Sequence, residues 1–561
     1  MDKSASRSVR RQQGGIPVLG WLSHVGARAD HPMYDAEAAR KLLKDLPADQ
    51  NKALEEVSSW LETVTTAKGY APGDRAGVVK LLDETGQNYE PVLLESVLRE
   101  AKLKEHERLK LWHTMIGFWE HLSGAYRRCL KDAEQASGGV AAHPQHALLV
   151  ARALRALANE VKFLHFRYLS VPGRIWQELA ELYGLSVQAG FDEESLKAYA
   201  SDVMITSPRR EFLRALMLEA AGPESEQAVA VELSARVIAR FASAFVLSTK
   251  PAPGFNFCFD LAHPGRPMHY SPKIRASAAL RYFGAGQARA SLQEIAADYT
   301  AHPEETDRRF GEEYSIADKL MIIKRLLLYW GDAPPLRRGL RVKIDAKIKV
   351  SRGFESVAEL VTRIDFGGMA ELTKDQRLKV KQQTGVALQA QDSTAEITEW
   401  TERDGSTWGV GVDIPRQDEP WAKIGALCAL QAPGQKLWWV GAIQRLYRDE
   451  HDKPHAGIEI LAKKPLSVYL RGVGEGAERA DNWQTSSGSF RFTYLNAIIL
   501  SESATAGTHR EILLKRDNFN AGAIYAVMMG DESQQVRLEE LLAHGEDYDR
   551  VRVTWLKGSG R

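Results

Sequence analysis

The sequence predicts a multidomain α + β protein, all-helical in its N-terminal region and continuing into an antiparallel β-barrel with a helical insertion and a second small β domain. Three observations predict it. From about residue 35 to residue 247, apolar residues recur at three- and four-residue spacing in one segment after another, the period of amphipathic helices. From residue 342 the period becomes two: Val342, Ile344, Ala346, Ile348 and Val350 alternate with Lys343, Asp345, Lys347 and Lys349, as in a half-buried strand. The 561 residues, 44% apolar and 26% charged, can fill several cores, and length alone suggests about three or four domains. The expected borders are 1–30 for a polar tail, 31–248 for the helical domain and 249–332 for a linker with a helical extension. Residues 333–470 then form the first barrel, with an insertion at about 355–394, and 471–561 form the second β domain.

The helical segments are read at 55–64, 91–103, 107–130, 146–169, 175–183, 193–200, 208–221 and 226–246. Breaks fall on turn chemistry: Gly86-Gln87-Asn88, Ser137-Gly138-Gly139, Val171-Pro172-Gly173 and Gly222-Pro223. Trp112, Phe118, Trp119, Phe163, Phe166 and Tyr168 read as helical core. Trp176, Leu179 and Tyr183 have the spacing of a first tetratricopeptide helix, but Asp192 stands where alanine is wanted and no thirty-four-residue period follows. Residues 250–272 read as a linker packed against a domain, because Phe255, Phe257 and Phe259 on alternate positions would not stay solvated. Helices resume at 274–282, 288–299 and 316–330. The last opens on a Ser315-x-x-Asp318 capping pair and delivers the chain, through a joint at Gly331 to Pro335, into an arginine cluster.

Composition excludes several classes. A net charge of +1 gives no global field to recruit nucleic acid or an anionic membrane, so any anion site is local. Cys129, Cys258 and Cys428 are far apart and odd in number, which speaks for a reducing compartment and against zinc or a disulfide frame. The first fifteen residues carry Arg7, Arg10 and Arg11 and lack the apolar core of a signal peptide. Later apolar stretches are interrupted by Arg240, or by Lys324 and Arg325, and are too short to cross a bilayer. The expectation is a cytoplasmic protein. His106, His113 and His121 are spaced by seven and eight, not by the four of a helical metal pair. No Walker loop, His-Glu-x-x-His or Gly-x-Ser-x-Gly occurs, and Gly472-x-Gly474-x-Gly476 lies in a polar loop. No catalytic residue, metal or cofactor is expected.

The chemistry concentrates at Pro334-Pro335-Leu336-Arg337-Arg338-Gly339-Leu340-Arg341 and, much later, at Asp404-Gly405-Ser406-Thr407-Trp408-Gly409. Arg337, Arg338 and Arg341 stand at the mouth of the alternating strand. Asp404 and Ser406 stand beside Gly409 and Gly411, which open the backbone of a strand carrying Val410, Val412 and Ile414 to close approach. Together they describe an anion site on a β-barrel. This order, Arg-x-x-x-Arg followed by Asp-x-Ser-x-x-Gly, resembles the PilZ domain, a bacterial receptor module for cyclic di-GMP. Residues 425–430, 437–447 and 456–461 read as later barrel strands, so the resemblance covers about 333–465. About sixty residues separate Arg341 from Asp404, so 354–394 is read as an insertion, with Val357, Leu360 and Val361 at helical spacing and a solvated basic arm at 375–381. Gly405 occupies a position that such domains usually make apolar.

The resemblance implies cyclic di-GMP as ligand. Arginine suits it, with a planar fork for phosphate oxygens and a flat cation that stacks on bases. Arg337 and Arg341 would take those roles, with Arg338 beside them. Asp404 can accept from a guanine N–H edge, Ser406 can bond phosphate or base, and Gly409 removes the Cβ that would hold the ligand away. Residues 490–494, 497–500, 510–514, 523–529 and 551–555, with one helical turn at 538–543, read as a small barrel or sandwich packed on the first. The functional expectation is a non-enzymatic signalling effector coupling cyclic di-GMP binding to a helical region that contacts a protein partner, without membrane insertion. A PilZ-like scaffold that binds no nucleotide and an RNA- or DNA-binding β module remain as alternatives, the latter disfavoured by the charge balance.

Overall fold

A computed structural model describes residues 29–71, 73–99, 103–137, 144–332, 341–365, 395–449, 451–473, 494–500, 509–529 and 532–556. The chain divides into two compact units, Met1–Glu160 with Glu178–Phe212, and Val161–Gln177 with Leu213–Arg561.

The first unit is helical: α1 (Ala36–Leu42), α2 (Gln50–Thr66), α3 (Asp74–Gly86), α4 (Glu90–Arg99), α5 (Glu105–Ser137), most of α6 (Pro144–His165) and the later part of α7 (Gly173–Gln188). Asp35 and Asp49 cap α1 and α2 by accepting from the backbone N–H of Ala38 at 2.8 Å and of Lys52 at 2.9 Å. Leu54, Val57, Leu61 and Val64 form the buried stripe of α2, which packs along α5 with its buried Met115, Phe118, Trp119 and Leu122. Arg75 of α3 closes the other end of α2, donating to the carbonyls of Val64, Thr65 and Ala67 and pairing with Asp132 at 2.7 Å. A buried polar network ties α3, α5 and α6 together. Asp83 accepts from the hydroxyls of Tyr126 at 2.5 Å and Tyr199 at 3.1 Å and pairs with Arg152 at 3.3 Å. Burial pushes its carboxyl up despite the arginine.

The helix expected at 193–200 is not formed. Leu196 exchanges both backbone hydrogen bonds with Thr206, at 2.9 and 2.7 Å, so its amide and carbonyl are committed across a turn and not along a helix.

The second unit begins with the end of α6, the start of α7, most of α8 (Pro208–Ala220) and α9 (Ala228–Phe241). There follows an antiparallel sheet of order β1-β4-β2-β3, built from β1 (Val246–Ser248), β2 (Phe257–Asp260), β3 (Met268–His269) and β4 (Leu280–Gly284). This sheet corrects two expectations. The phenylalanines of the expected linker lie partly on a buried strand. The helix expected at 274–282 is a turn entering β4, where Leu280 and Tyr282 alternate onto Cys258. Then come α10 (Ala288–Ala301) and α11 (Ile316–Tyr329); α11 starts at the expected Ser315/Asp318 capping box. Trp330 is buried and its Nε1 donates to the Met217 carbonyl at 3.3 Å. Most of the joint expected at 331–335 lies outside the described residues.

Two closed six-stranded antiparallel barrels follow among the described residues, as the change of period predicts. The first has β5 (Val342–Arg352), β6 (Ile397–Gly405), β7 (Gly409–Asp413), β8 (Leu427–Gln431), β9 (Trp439–Arg448) and β10 (Pro454–Ala462) in the order β10-β7-β6-β5-β8-β9. Its interior holds Ile348, Val350, Trp400, Val410, Val412, Leu430 and Ile458, so the alternation read in β5 and β7 does set the inner face. The second has β11 (Leu466–Gly472), β12 (Tyr494–Leu500), β13 (His509–Lys515), β14 (Ile524–Met529), β15 (Glu532–His544) and β16 (Tyr548–Leu556) in the order β11-β12-β13-β16-β15-β14. The helical turn expected at 538–543 belongs to β15. Register shifts at Leu538/Glu540 and Leu541/Ala543 break its alternation and lend it a helix-like spacing.

The helix of the expected insertion is α12 (Phe354–Asp365); residues 366–394, with the basic arm, lie outside the described residues, as do Phe490 to Thr493. Phe354, Val357, Leu360 and Val361 of α12 are buried between the outer faces of the barrels, against Leu427 and Ala429 on one side and Ile498, Leu500 and Leu513 on the other. Asp547 fastens this joint, accepting from the backbone N–H of Phe354 at 2.6 Å and of Leu427 at 3.1 Å.

Candidate ligand-binding face of the first barrel

Inner and outer residues alternate on every barrel strand. With Val410, Val412, Ile458 and Leu446 inside, the outer face of β6, β7, β10 and β9 carries two cross-strand rows. In the first, Asp404 stands opposite Gly411, Gly411 opposite Gly457, and Gly457 opposite Arg445. In the second, Asp413 stands opposite His455, and His455 opposite Tyr447. The first row is therefore two charged ends separated by a two-glycine floor.

Arg341, at the entrance to β5, reaches along this row and donates to Asp404. The glycine at 411 makes room for that pair. A Cβ there would overlap the Asp404 carboxylate and lie 2.9 Å from Arg341 Nη1. At Gly409 a Cβ would come within 2.9 Å of the Ile458 carbonyl oxygen, so that glycine serves close strand approach. At the other end, the half-buried Arg445 lays its stem along Gly457, with Cγ and Cδ 4.0 Å from the position a Cβ would take. Its guanidinium has no hydrogen bond or ion pair with any described residue.

The second row is an ion cluster. Asp413 takes Arg403 at 2.7 Å, Lys453, and His455 Nδ1 at 2.9 Å; the other ring nitrogen of His455 lies 3.2 Å from Asp449. Burial raises the Asp413 carboxyl, but Lys453 and Arg403 outweigh it and hold the group below its usual value. Asp449 is brought down to about 2 by the Lys453 backbone N–H, His455 and the His451 backbone N–H. The Tyr447 ring stacks on His455 with centroids 4.7 Å apart and planes 13° from parallel, and the residue stays 49% exposed.

A cavity of about 340 Å³ stands over the first row. Its far wall comes from the helical part of the same unit: Tyr168 to Val171, Trp176, and the charged set His165, Glu219 and Arg266. The wall is tied to the barrel. Arg448 N–H donates to the Tyr168 carbonyl at 3.0 Å, the Ser170 hydroxyl donates to the Arg448 carbonyl at 3.1 Å, and Tyr168 makes the turn at φ +58°. Glu219 takes His165 at 2.8 Å and Arg266 at 2.5 Å. Burial raises its carboxyl, but the histidine and arginine prevail and hold it below the usual range.

Of the residues singled out in the sequence, Arg341 and Asp404 are brought together at the cavity, with Gly409 on the same strand face. Asp404, expected to meet a guanine edge, pairs with Arg341. Ser406 sits in the β6–β7 turn, its hydroxyl donating to the Gly409 carbonyl at 3.2 Å and accepting from Trp408 N–H at 3.3 Å. Arg337 and Arg338 lie outside the described residues. At Gly405 a Cβ would meet Glu402 Oε1 at 2.7 Å and Ile344 Cδ1 at 2.9 Å, so Ile344 supplies the apolar contact that a side chain at 405 would otherwise make. Gly457, Arg445, Tyr447 and Arg266 are not legible as site residues. The available signal is Arg445 and Tyr447 on alternate, outward positions of the expected strand 437–447. No group of metal-ligating side chains occurs among the described residues, and no helix there is long and apolar enough to cross a membrane.

Residues 37–252 match the family model of the N-terminal domain of the cyclic-di-GMP receptor FimW. No curated protein and no solved structure matches the chain. The matched stretch ends ahead of the barrels, so the likeness of residues 333–465 to PilZ rests on their motifs.

Proposed function

We propose that this chain is a cyclic di-GMP-binding signalling effector, a receptor and not an enzyme, that takes the nucleotide on the outer face of its first, PilZ-like barrel and passes that state to a protein partner through its helical region. The observation that carries the reading is Arg341 held by Asp404 across Gly411 at the edge of a cavity. A guanidinium fixed in place by a carboxylate loses little further freedom when it takes up a phosphate, and its planar fork suits two oxygens of one phosphodiester. Arg337 and Arg338 are assigned to the same ligand by the Arg-x-x-x-Arg motif that they share with Arg341. The match to a domain of a cyclic-di-GMP receptor supports the reading independently, because it falls on a different part of the chain from the arginine motif.

Isothermal titration of the full chain with cyclic di-GMP and with single-stranded RNA tests it. Arg337→Ala and Arg341→Ala should each weaken cyclic di-GMP binding by about 1.5 to 3 kcal/mol, the range for charge-assisted hydrogen bonds, with the fold intact. Binding of neither ligand would leave the barrel as an interaction scaffold, and salt-sensitive binding of RNA alone would point to a nucleic-acid module.

A further inference from the structure

Half of the glycine-floored row lies outside the motifs. Four arginines line the cavity, and three are spoken for: Arg341 by Asp404, Arg403 by Asp413, Arg266 by Glu219 and Glu224. Arg445 is the fourth, half-buried and without a carboxylate among the described residues. A guanidinium partly removed from water and left without a counter-charge is disfavoured unless an anion completes it. Arg445 does not face that anion alone. Gly411 and Gly457 are opposed residues on neighbouring strands, with Cα atoms roughly 4.5 to 5.5 Å apart. The Arg341 guanidinium lies against the first and the Arg445 stem along the second, so the missing Cβ atoms let the two arginines settle side by side on adjoining strands at one edge of the cavity.

Two residues along β9 from Arg445, and on the same side, is Tyr447. One face of its ring is occupied by His455; its 49% exposure leaves the ring accessible from the other side. Asp449 hydrogen-bonds one ring nitrogen of His455 at 3.2 Å and the Asp413 carboxylate stands 2.9 Å from the other, so the tyrosine is backed by a ring held among carboxylates. A backed aromatic ring beside a cation is the arrangement that takes a nucleobase next to its phosphate.

We infer that Arg445 and Tyr447 form a second half of the nucleotide site, with Arg445 and Arg341 sharing a phosphodiester held in the cavity while Tyr447 stacks on the adjoining purine. This rests on the reading of the barrel as a cyclic di-GMP receptor.

The test is isothermal titration of the full chain with cyclic di-GMP, using variants whose thermal melts match the parent. Arg445→Gln keeps the stem over Gly457 and removes the charge; it should weaken binding by about tenfold or more. Tyr447→Ala should weaken it by about 5- to 100-fold, the range for a stacked base, while Tyr447→Phe, which keeps the ring, should bind nearly as the parent. If Arg341→Ala loses binding while Arg445→Gln and Tyr447→Ala match the parent, the second half-site is overturned and the receptor reading stands. If Tyr447→Phe falls as far as Tyr447→Ala, the hydroxyl and not the ring carries the contact, and the stacking role is overturned. If the parent does not bind cyclic di-GMP, both readings fall.

Discussion

Gly411→Ala adds one methyl group under the Arg341–Asp404 pair. Its Cβ would overlap the Asp404 carboxylate, 3.0 Å from Cγ and 2.9 Å from Arg341 Nη1, closer than a carbon can settle without moving them. The backbone itself should accept alanine, since Gly411 is not among the residues at positive φ. The pair is about a third exposed on each side, so parting it costs about 0 to 1 kcal/mol of stability. Alanine regains about 0.5 to 1 kcal/mol over glycine within a strand, and the two effects nearly cancel. Binding should respond differently, because the displaced guanidinium is the group assigned to the phosphate. Losing charge-assisted hydrogen bonds worth about 1.5 to 3 kcal/mol lowers affinity by about 10- to 100-fold. Titration calorimetry with cyclic di-GMP and a thermal melt on the same preparation read both quantities. A folded Gly411→Ala protein that binds like the parent would refute the placement of Arg341 as the phosphate anchor. A stability loss above about 2 kcal/mol would refute the assignment of Gly411 to an outer, non-core position.

Three more outcomes follow from the same geometry. Asp547→Ala strips the partner from the buried backbone N–H groups of Phe354 and Leu427 and should destabilise the barrel pair by about 2 to 5 kcal/mol in urea unfolding, where an unchanged midpoint would contradict the joint. Asp83→Ala leaves Arg152 with Glu84 as its remaining counter-charge and strips the acceptor from the buried hydroxyls of Tyr126 and Tyr199, and should destabilise the helical unit by about 3 to 5 kcal/mol, read by the loss of helical signal in denaturant. The Asp449 carboxyl is depressed from 3.8 to about 2, so its contribution is complete above its unfolded value and is lost as pH falls through the folded one. The melting temperature of the first barrel should therefore fall between about pH 4 and pH 2, and Asp449→Asn should flatten that part of the profile; an equal slope in both proteins would count against the cluster.

What the sequence conveys well is whatever depends on neighbours along the chain. The Ser315/Asp318 cap, the helical stripe of α2 and the alternation from Val342 to Val350 are local patterns, and each has its element. Residues 497–500, Ala-Ile-Ile-Leu, are apolar on both faces because Ile499 faces the inside of a barrel while Ile498 and Leu500 face α12. Local pattern fails where pairing decides. The run Ala276 to Leu280 suits a helix by composition, but pairing with Phe257, Cys258 and Phe259 draws Arg281 to Phe283 into a strand, and the two register shifts of β15 imitate a helical turn. The site divides in the same way. Arg341, Asp404 and Gly411 can be read from motifs on adjoining strands, but Gly457 means nothing until β10 sets it between Gly411 and Arg445. That Arg445 lacks a partner among the described residues is a property of surroundings drawn from several strands, and no stretch of chain carries it.

The position of α12 limits how this protein can be dissected. Phe354, Val357, Leu360 and Val361 have one apolar wall on each barrel, so α12 covers a flank of both and each barrel covers one side of α12. A fragment ending after β10 would keep α12 on Leu427 and Ala429 but turn the wall of α12 that meets Ile498, Leu500 and Leu513 toward water, and it would leave the amides of Phe354 and Leu427 without Asp547. Such a piece would aggregate before it could report on a ligand. The smallest soluble fragment carrying the glycine-floored face is the tandem of both barrels, and a natural deletion of the second barrel would silence the first by exposing that wall of α12, with every residue of its binding face still in place.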